Sequence, residues 1–248
     1  MPKLVMSETE NGIATITLNR PEARNALSVE LIEALDAAID AVERDESVRV
    51  LVVAGAGRVF CAGMDLKGVM ADPVTMRRML RGLSVLMRRI RRLPIPTIAR
   101  VQGAAVGGGC GLMVVTDFAL THPEAKLGYP EVSLGVCPAV VAPWLIRKIG
   151  AGPARAMLLA GGTMSGTEGH RLGLATDLVE RGRLEAETAE LAGRLREAGP
   201  AAIGTTKRWL NELDGSLDDA VFDRAADLSA DVIAGAEAQA RLRRAFFS

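Results

Sequence analysis

The spacing of apolar residues predicts alternating strands and helices in the first part of the chain. Apolar and polar residues alternate in "GIATITLNRP" (12–21) and the alternation stops at Pro21, which is typical of a strand followed by a turn. In "LSVELIEALDAAIDAVERDE" (27–46), apolar residues recur at helical spacing behind Ser28, a residue type that favours helix N-caps. The apolar stretch "VRVLVVAGAG" (48–57) predicts a buried strand that ends at glycines.

The next amphipathic stretch is rich in arginine. "DPVTMRRMLRGLSVLMRRIRRL" (72–93) predicts a helix that ends before Pro94 and carries seven arginines between positions 77 and 92. A solvated or subunit-contact face is the simplest interpretation of these arginines. Contact with the phosphates or a carboxylate of a substrate is the alternative. The following "PTIARVQG" (96–103) predicts another strand.

The rest of the chain changes from mixed to helical patterning. Residues 104–183 contain short helical segments that stop at glycines and short apolar runs typical of strands, whereas residues 184–248 are helical in pattern throughout. Alternating elements of this kind indicate an α/β fold. We therefore divide the chain into an α/β core (1–183) and a helical C-terminal region (184–248).

The composition excludes several classes of protein. Lys+Arg and Asp+Glu are both 30, so the net charge of zero gives no basic footprint for nucleic acid, and aromatic residues make up only 3% of the chain. The three cysteines lack CxxC spacing, which argues against a disulfide framework or zinc site and favours a reducing compartment. Neither a secretory signal nor an apolar run of membrane-spanning length is apparent. We expect a cytoplasmic protein without nucleic-acid or membrane partners.

Common catalytic motifs do not occur in the sequence. The chain lacks the phosphate-loop pattern GxxxxGK[ST], the dinucleotide pattern GxGxxG, the hydrolase pattern GxSxG and the zinc pattern HExxH. The only histidines, His122 and His170, adjoin no serine or cysteine motif and are predicted to be surface residues. A Ser/His or Cys/His nucleophile pair is therefore not expected.

Two glycine-containing loops follow predicted strands. "GAAVGGGCGLM" (103–113) leads from a strand into an apolar helical run, where bare backbone N–H groups can stabilise a negative oxygen. In "VFCAGMDL" (59–66), Ala62–Gly63–Met64 exposes backbone at another strand end. Together they could aim two N–H donors at one oxygen. Tight helix–strand packing and an ordinary strand-to-helix turn are the alternatives.

Glu131 is the third candidate. In "LGYPEVSLG" (127–135) it follows Pro130 and has apolar neighbours. A carboxylate in an apolar site has a raised pKa and can transfer protons near neutral pH. A solvent-facing glutamate at a turn is the alternative.

These stretches, in this order, resemble the crotonase superfamily (the enoyl-CoA hydratase/isomerase family). The resemblance begins at "ITLNRPEARNALS", includes the three stretches above and ends in "AGPARAMLLAGGTMSGTEGHRLGLATDLVE". It implies a crotonase fold, a spiral of repeated ββα units, with C-terminal helices that form homotrimers or hexamers. It also implies an acyl-CoA substrate, of which coenzyme A is part, and no metal or redox cofactor.

The resemblance also implies roles for individual residues. The two N–H donors map onto Met64 and Gly108, and the proton-transfer residue maps onto Glu131. Further positions implied to bind the substrate are Arg24, Ala26, Ala62, Gly63, Asp65, Leu66, Lys67 and Gly111.

Gly111 departs from the family pattern, because typical hydratases have a first glutamate there and Glu131 corresponds to their second. With a single acid/base residue, hydration is harder to catalyse than migration of a double bond. The sequence therefore predicts an enoyl-CoA hydratase/isomerase with one glutamate. A Δ3–Δ2 enoyl-CoA isomerase that uses Glu131 alone and a catalytically weak acyl-CoA-binding paralogue are the alternatives. Asp65, Asp117, Glu124 and Tyr129 are weaker candidates for a catalytic role.

Overall fold

The computed structural model describes residues 3–70 and 72–247. The strands are β1 (Val5–Glu10), β2 (Ile13–Leu18), β3 (Val50–Gly55), β4 (Thr97–Val101), β5 (Ala105–Val106), β6 (Phe118–Thr121), β7 (Lys126–Gly128), β8 (Thr163–Ser165) and β9 (Asp177–Leu178). The helices are α1 (Val29–Arg44), α2 (Leu66–Val69), α3 (Pro73–Arg92), α4 (Gly108–Val114), α5 (Ala142–Ile149), α6 (Ala151–Ala160), α7 (Gly166–Arg171), α8 (Leu184–Arg196), α9 (Pro200–Leu213), α10 (Asp219–Ala234) and α11 (Ala236–Phe247). Short 3-10 turns cover Pro21–Ala23, Glu131–Leu134 and Arg181–Arg183.

The strands form two sheets. The larger has the order β1-β2-β3-β4-β6-β9, in which only the β1–β2 pair is antiparallel, and the smaller has the order β5-β7-β8. Because β3 and β4 are parallel neighbours, the loops that follow them leave the same edge of the sheet. This arrangement brings the two glycine-containing loops together.

The predicted helices α1 and α3 are present and begin at side-chain caps. The Ser28 hydroxyl accepts from the Leu31 N–H at the start of α1, and the Asp72 carboxylate accepts from the Val74 and Thr75 N–H groups at the start of α3. Strand β1 was not predicted, because most of its side chains are polar and exposed at the edge of the sheet and show no buried alternation.

The arginines of α3 contact acidic residues of the same chain. Arg77 and Arg88 lie 2.9 Å from Asp227 and Asp223 of α10, and Arg89 pairs with three acidic residues of α1. Individual exposed pairs contribute little to stability, whereas a network on both sides of one helix fixes how it is oriented. The arginines therefore link α3 to α1 and α10, which neither of the two interpretations drawn from the sequence anticipated.

The C-terminal helices pack on the core and leave apolar side chains exposed. Leu184 and Ala192 of α8 are buried with residues of the large sheet. On α9, Trp209, Leu210 and Leu213 are exposed. Self-association stays a prediction. In the part of the chain that the structure describes, no helix has both the length and the apolar character needed to cross a bilayer.

Candidate active site

Backbone hydrogen bonds hold the loop after β3 between two other segments. Cys61 donates to the Ala104 carbonyl at 3.1 Å and accepts from the Val106 N–H at 3.0 Å. On the other side, the Leu27 N–H donates to the Gly63 carbonyl at 2.8 Å. Each of these contacts pairs extended backbone with extended backbone, so the loop is hydrogen-bonded on both sides, as a strand inside a sheet is.

The segments that carry the Met64 and Gly108 N–H groups come close together at this junction. A Cβ atom added at Gly108 would lie 3.4 Å from Met64 Cγ, and one at Gly63 would lie 3.8 Å from Gly108 N. Within residues 3–70 and 72–247, neither N–H has a hydrogen-bond acceptor. Gly108 begins α4, where the first N–H groups of a helix have no partner inside it. Two neighbouring donors are therefore available to a ligand.

The glycine cluster closely approaches both a carboxylate and a neighbouring loop. Gly107 has φ 53° and ψ −125°, and a Cβ atom there would lie 2.7 Å from Glu131 Oε1, so only glycine fits beside the carboxylate. A Cβ atom at Gly109 would lie 2.7 Å from Cys61 Cβ, which is tight packing of α4 on the loop after β3. Close approach to a carboxylate and close packing thus occur two positions apart.

Glu131 begins the 3-10 turn that follows β7. Its carbonyl accepts from the Val136 N–H at 2.9 Å, which fixes the turn. Its side chain is half-buried, and Oε2 has no hydrogen-bond partner within the described residues. Because burial disfavours the charged form, the pKa of Glu131 is raised from 4.5 to about 7. A fully solvent-facing glutamate is not what the structure shows.

A cavity of about 540 Å³ joins these groups. Its lining includes the positions predicted from sequence, with Gly111 excepted, namely Arg24, Ala26, Ala62, Gly63, Met64, Asp65, Leu66, Lys67, Gly108 and Glu131. Gly111 is buried in α4 beneath other side chains. The cavity therefore brings together the N–H donors and the carboxylate.

Glu131 differs from the other carboxylate that lines the cavity. Asp65 Oδ2 forms an ion pair with Arg20 Nη1 at 2.7 Å, whereas no ion pair involving Glu131 occurs among the described residues. The other weaker candidates do not line the cavity. Asp117 accepts from Thr97 and Lys207, and its contacts are structural.

The histidine prediction fails at His122. This residue is 2% exposed, and its ring nitrogens contact the Glu124 carboxylate and the Gln102 carbonyl. Two polar partners compensate its burial. Glu124 is two residues away, but Gln102 is 20 residues away, and sequence spacing does not reveal that contact. Tyr129 is fully buried and does not line the cavity.

The three cysteines are free. Burial raises the pKa of the Cys61 and Cys110 thiols to about 12, so they stay protonated near neutral pH, and Cys137 is half-buried beside the cavity. In the ranges that the structure describes, no group of His, Cys, Asp or Glu side chains is arranged to hold a metal ion.

Sequence reasoning missed the wall contributed by the C-terminal region. Ser229 and Ile233 of α10 and Ala245 and Phe246 of α11 line the cavity. Their helices have no motif, and their amphipathic pattern only indicates packing. The division at residue 183 therefore separates segments that share one cavity.

Asn25 is a further residue that the motifs did not single out. It is fully buried with φ 54°, a backbone conformation that asparagine tolerates. Its Oδ1 accepts from the Arg20 N–H at 2.9 Å, and its Nδ2 donates to the carbonyls of Ala56, Val59 and Phe60 at 3.0, 2.7 and 3.2 Å. Asn25 thus holds the segment that carries Arg24 against the loop after β3.

We expect Asn25→Ala to lower the free energy of unfolding by about 3 kcal/mol, because it leaves buried carbonyls and an N–H unpaired. Urea unfolding measures the change. Asn11→Ala is the matched control, since Asn11 has a similar φ of 50° but an exposed side chain. It should cost only about 1 kcal/mol through its backbone conformation. Equal losses in the two variants would contradict a role for the Asn25 hydrogen bonds.

Comparisons with known proteins agree on one family. The sequence model described as Enoyl-CoA hydratase/isomerase matches residues 8–244. The 1,2-epoxyphenylacetyl-CoA isomerase of Escherichia coli is 35% identical, with 96% of this chain and 95% of the relative covered. The crotonyl-CoA hydratase of Syntrophomonas wolfei is 33% identical, with 92% and 87% covered.

Solved structures give the same result for the fold. An enoyl-CoA hydratase/isomerase from Xanthobacter autotrophicus superposes with a TM-score of 0.88 at 30% identity, covering 98% of this chain and 93% of that one. An enoyl-CoA hydratase from Bacillus halodurans gives a TM-score of 0.90 at 25% identity, covering 97% and 99%. The predicted crotonase fold is confirmed.

Proposed function

Because the chain belongs to the enoyl-CoA hydratase/isomerase family, we propose that it is an enoyl-CoA isomerase in which Glu131 alone moves the proton. One observation carries the proposal. Glu131 is the cavity-lining carboxylate that has no ion pair among the described residues, and burial brings its pKa to about 7. Such a group both accepts and returns a proton near neutral pH.

The cavity suits a thioester with an apolar acyl group. Leu80, Leu83, Val136, Val140 and Ile233 supply an apolar wall. The cationic residues that line the cavity, Arg24 and Lys67, belong to the segments that the resemblance assigns to coenzyme A. In this arrangement the acyl group lies on the apolar wall and the phosphates lie near the cations.

The proposed reaction needs no external oxidant or reductant. The Glu131 carboxylate takes a proton from C2 of a 3-enoyl thioester, and the electron pair of that C–H bond delocalises onto the thioester oxygen. The N–H groups of Met64 and Gly108 stabilise the resulting oxyanion. Glu131 then gives the proton to C4, the oxyanion charge returns to the carbon chain, and the double bond lies between C2 and C3.

The names of relatives do not separate isomerisation from hydration, because both occur among them. The side chains that line the cavity favour isomerisation. Hydration needs a group that holds the water in addition to the group that handles the proton. Asp65 is already paired with Arg20, and Gly111 has no side chain. A single free carboxylate therefore supports the isomerase.

The assay supplies a 3-enoyl-CoA and a 2-enoyl-CoA separately and follows double-bond migration and hydration. We expect migration to dominate, with kcat/KM rising with pH through about 7 and then levelling, because only the ionised form of Glu131 accepts the C2 proton. Hydration faster than migration would refute the isomerase. Saturable binding of both esters with no turnover would instead favour an acyl-CoA-binding protein.

A further inference from the structure

The space beside the α-carbon of Gly111 is filled by side chains from elsewhere. The Gly111 N–H donates to the Gly107 carbonyl at 2.9 Å, one turn earlier, so both glycines lie on one face of the helix. Gly107 faces the Glu131 carboxylate. A Cβ atom at Gly111 would lie 2.7 Å from Val141 Cγ1 and closer still to Met87 Cε.

Both filling side chains are apolar and belong to the core. Met87 of α3 is 0% exposed and Val141, which precedes α5, is 3% exposed. Val141 also lines the cavity that contains Glu131. A water molecule or a carboxylate at this position would lose its hydration without gaining a polar partner, which is unfavourable by several kcal/mol.

This apolar contact bears on the choice between two reactions. Adding water to a 2-enoyl thioester forms a bond from the water oxygen to C3, while one water proton passes to the group that holds the water and the other stays on the new hydroxyl. A C–H bond forms at C2 with a proton supplied by an acidic group. Moving a double bond uses no water, and the proton taken from C2 is returned at C4. A face of α4 beside Glu131 that excludes water therefore favours migration of the double bond over hydration.

We infer that Met87 and Val141 are specificity-determining residues, which close the face of α4 beyond Gly107 to water so that the proton on Glu131 returns to the substrate. The inference rests on the proposed isomerase activity. It also explains why the glycine at position 111 is only one of the differences from a site with two glutamates, since the side chains around that position are apolar as well. A carboxylate placed at Gly111 would collide with the Met87 side chain and with Val141 Cγ1 unless these move, and the Met87 atoms are the nearest.

The first experiment measures the ratio of hydration to migration in four proteins. Gly111→Glu alone should leave the ratio within about twofold of wild type, whereas Gly111→Glu/Met87→Ala should raise it about tenfold or more. Gly111→Glu/Met79→Ala is the matched control, because Met79 is a second buried methionine of α3, 1% exposed, that does not contact Gly111. Thermal unfolding verifies that each variant is folded.

Two results would overturn the inference. One is an equal gain of hydration in the single variant and in the Met87 double variant. The other is a folded double variant without a gain. Wild-type protein that converts neither ester would instead count against the proposed isomerase.

A second measurement avoids a buried charge. In D₂O, wild-type protein should return the substrate's own proton, so the product contains little deuterium. Met87→Gln places a polar group of similar size on this face and should raise product deuterium about threefold or more, because the amide can hold water. Met87→Leu, which stays apolar, should resemble wild type. Equal deuterium in the Gln variant and wild type would contradict a water-excluding role for Met87.

Discussion

Glu131→Gln should lower kcat/KM for double-bond migration by about 100- to 10,000-fold, the usual contribution of a positioned acid/base group. The amide retains the size of the side chain but neither accepts nor returns a proton. Because the contacts of Gly107 and Val136 with this residue involve its shape and its backbone, we expect the variant to remain folded and to bind an acyl-CoA.

The same variant should be more stable than wild type at alkaline pH. The folded protein binds the Glu131 proton more tightly than the unfolded chain, since its pKa is about 7 rather than 4.5. Ionisation of Glu131 therefore lowers the free energy of unfolding. The loss is zero below about pH 4.5 and about 3 kcal/mol above pH 7, at about 1.4 kcal/mol per pKa unit. The amide of the variant has no hydrogen-bond partner and costs about 1 kcal/mol. We therefore expect the variant to be more stable than wild type by about 2 kcal/mol at pH 8.

Denaturant unfolding at several pH values measures this effect. The stability difference between Glu131→Gln and wild type should grow from pH 5 to pH 8. Glu190→Gln, at an exposed position of α8, is the control and should change neither activity nor stability. A difference that is constant with pH would show that Glu131 titrates like an exposed carboxylate, and undiminished migration would remove it from the mechanism.

Gly108→Pro should lower kcat/KM by about 100- to 1,000-fold, or about 3–4 kcal/mol, through loss of one donor to the thioester oxygen. Proline suits the first position of a helix, because its fixed φ fits there and the N–H it removes has no partner within the helix. The substitution therefore removes the N–H while it breaks no hydrogen bond between the described residues.

Gly108→Ala separates the loss of the donor from the effect of added bulk. The alanine keeps the N–H and adds a Cβ atom 3.1 Å from Leu83 Cδ2 and 3.3 Å from Leu27 Cδ1, contacts that flexible side chain ends can relieve. We expect a loss of less than about tenfold for the alanine variant. If alanine and proline reduce kcat/KM equally, crowding and not the missing N–H is responsible.

The sequence determined much of the fold because the signals are local. Helical spacing and N-caps identified α1 and α3, and buried alternation identified β2, since each pattern reports which face of one element packs inward. The short elements β5 and β8 carry too few residues to show a period. Their pairing depends on partners that are distant in the chain.

Part of the candidate site was also predictable. Bare backbone at two strand ends pointed to residues 62–64 and 103–113, and a carboxylate among apolar residues pointed to Glu131, because each feature lies within a single short segment. The order of the motifs then indicated the family, which the comparisons confirm. The family resemblance then assigned the two donors to Met64 and Gly108.

The tertiary structure decided how those residues are surrounded. The pKa of Glu131 depends on burial by segments that fold over it, and the partners of the α3 arginines lie on α1 and α10. Phe246 reaches the cavity from the end of the chain. The space at Gly111 is filled by Met87 and Val141. Desolvation and steric exclusion arise from residues far apart in sequence, so local patterns identify candidate groups but not the burial and packing that surround them.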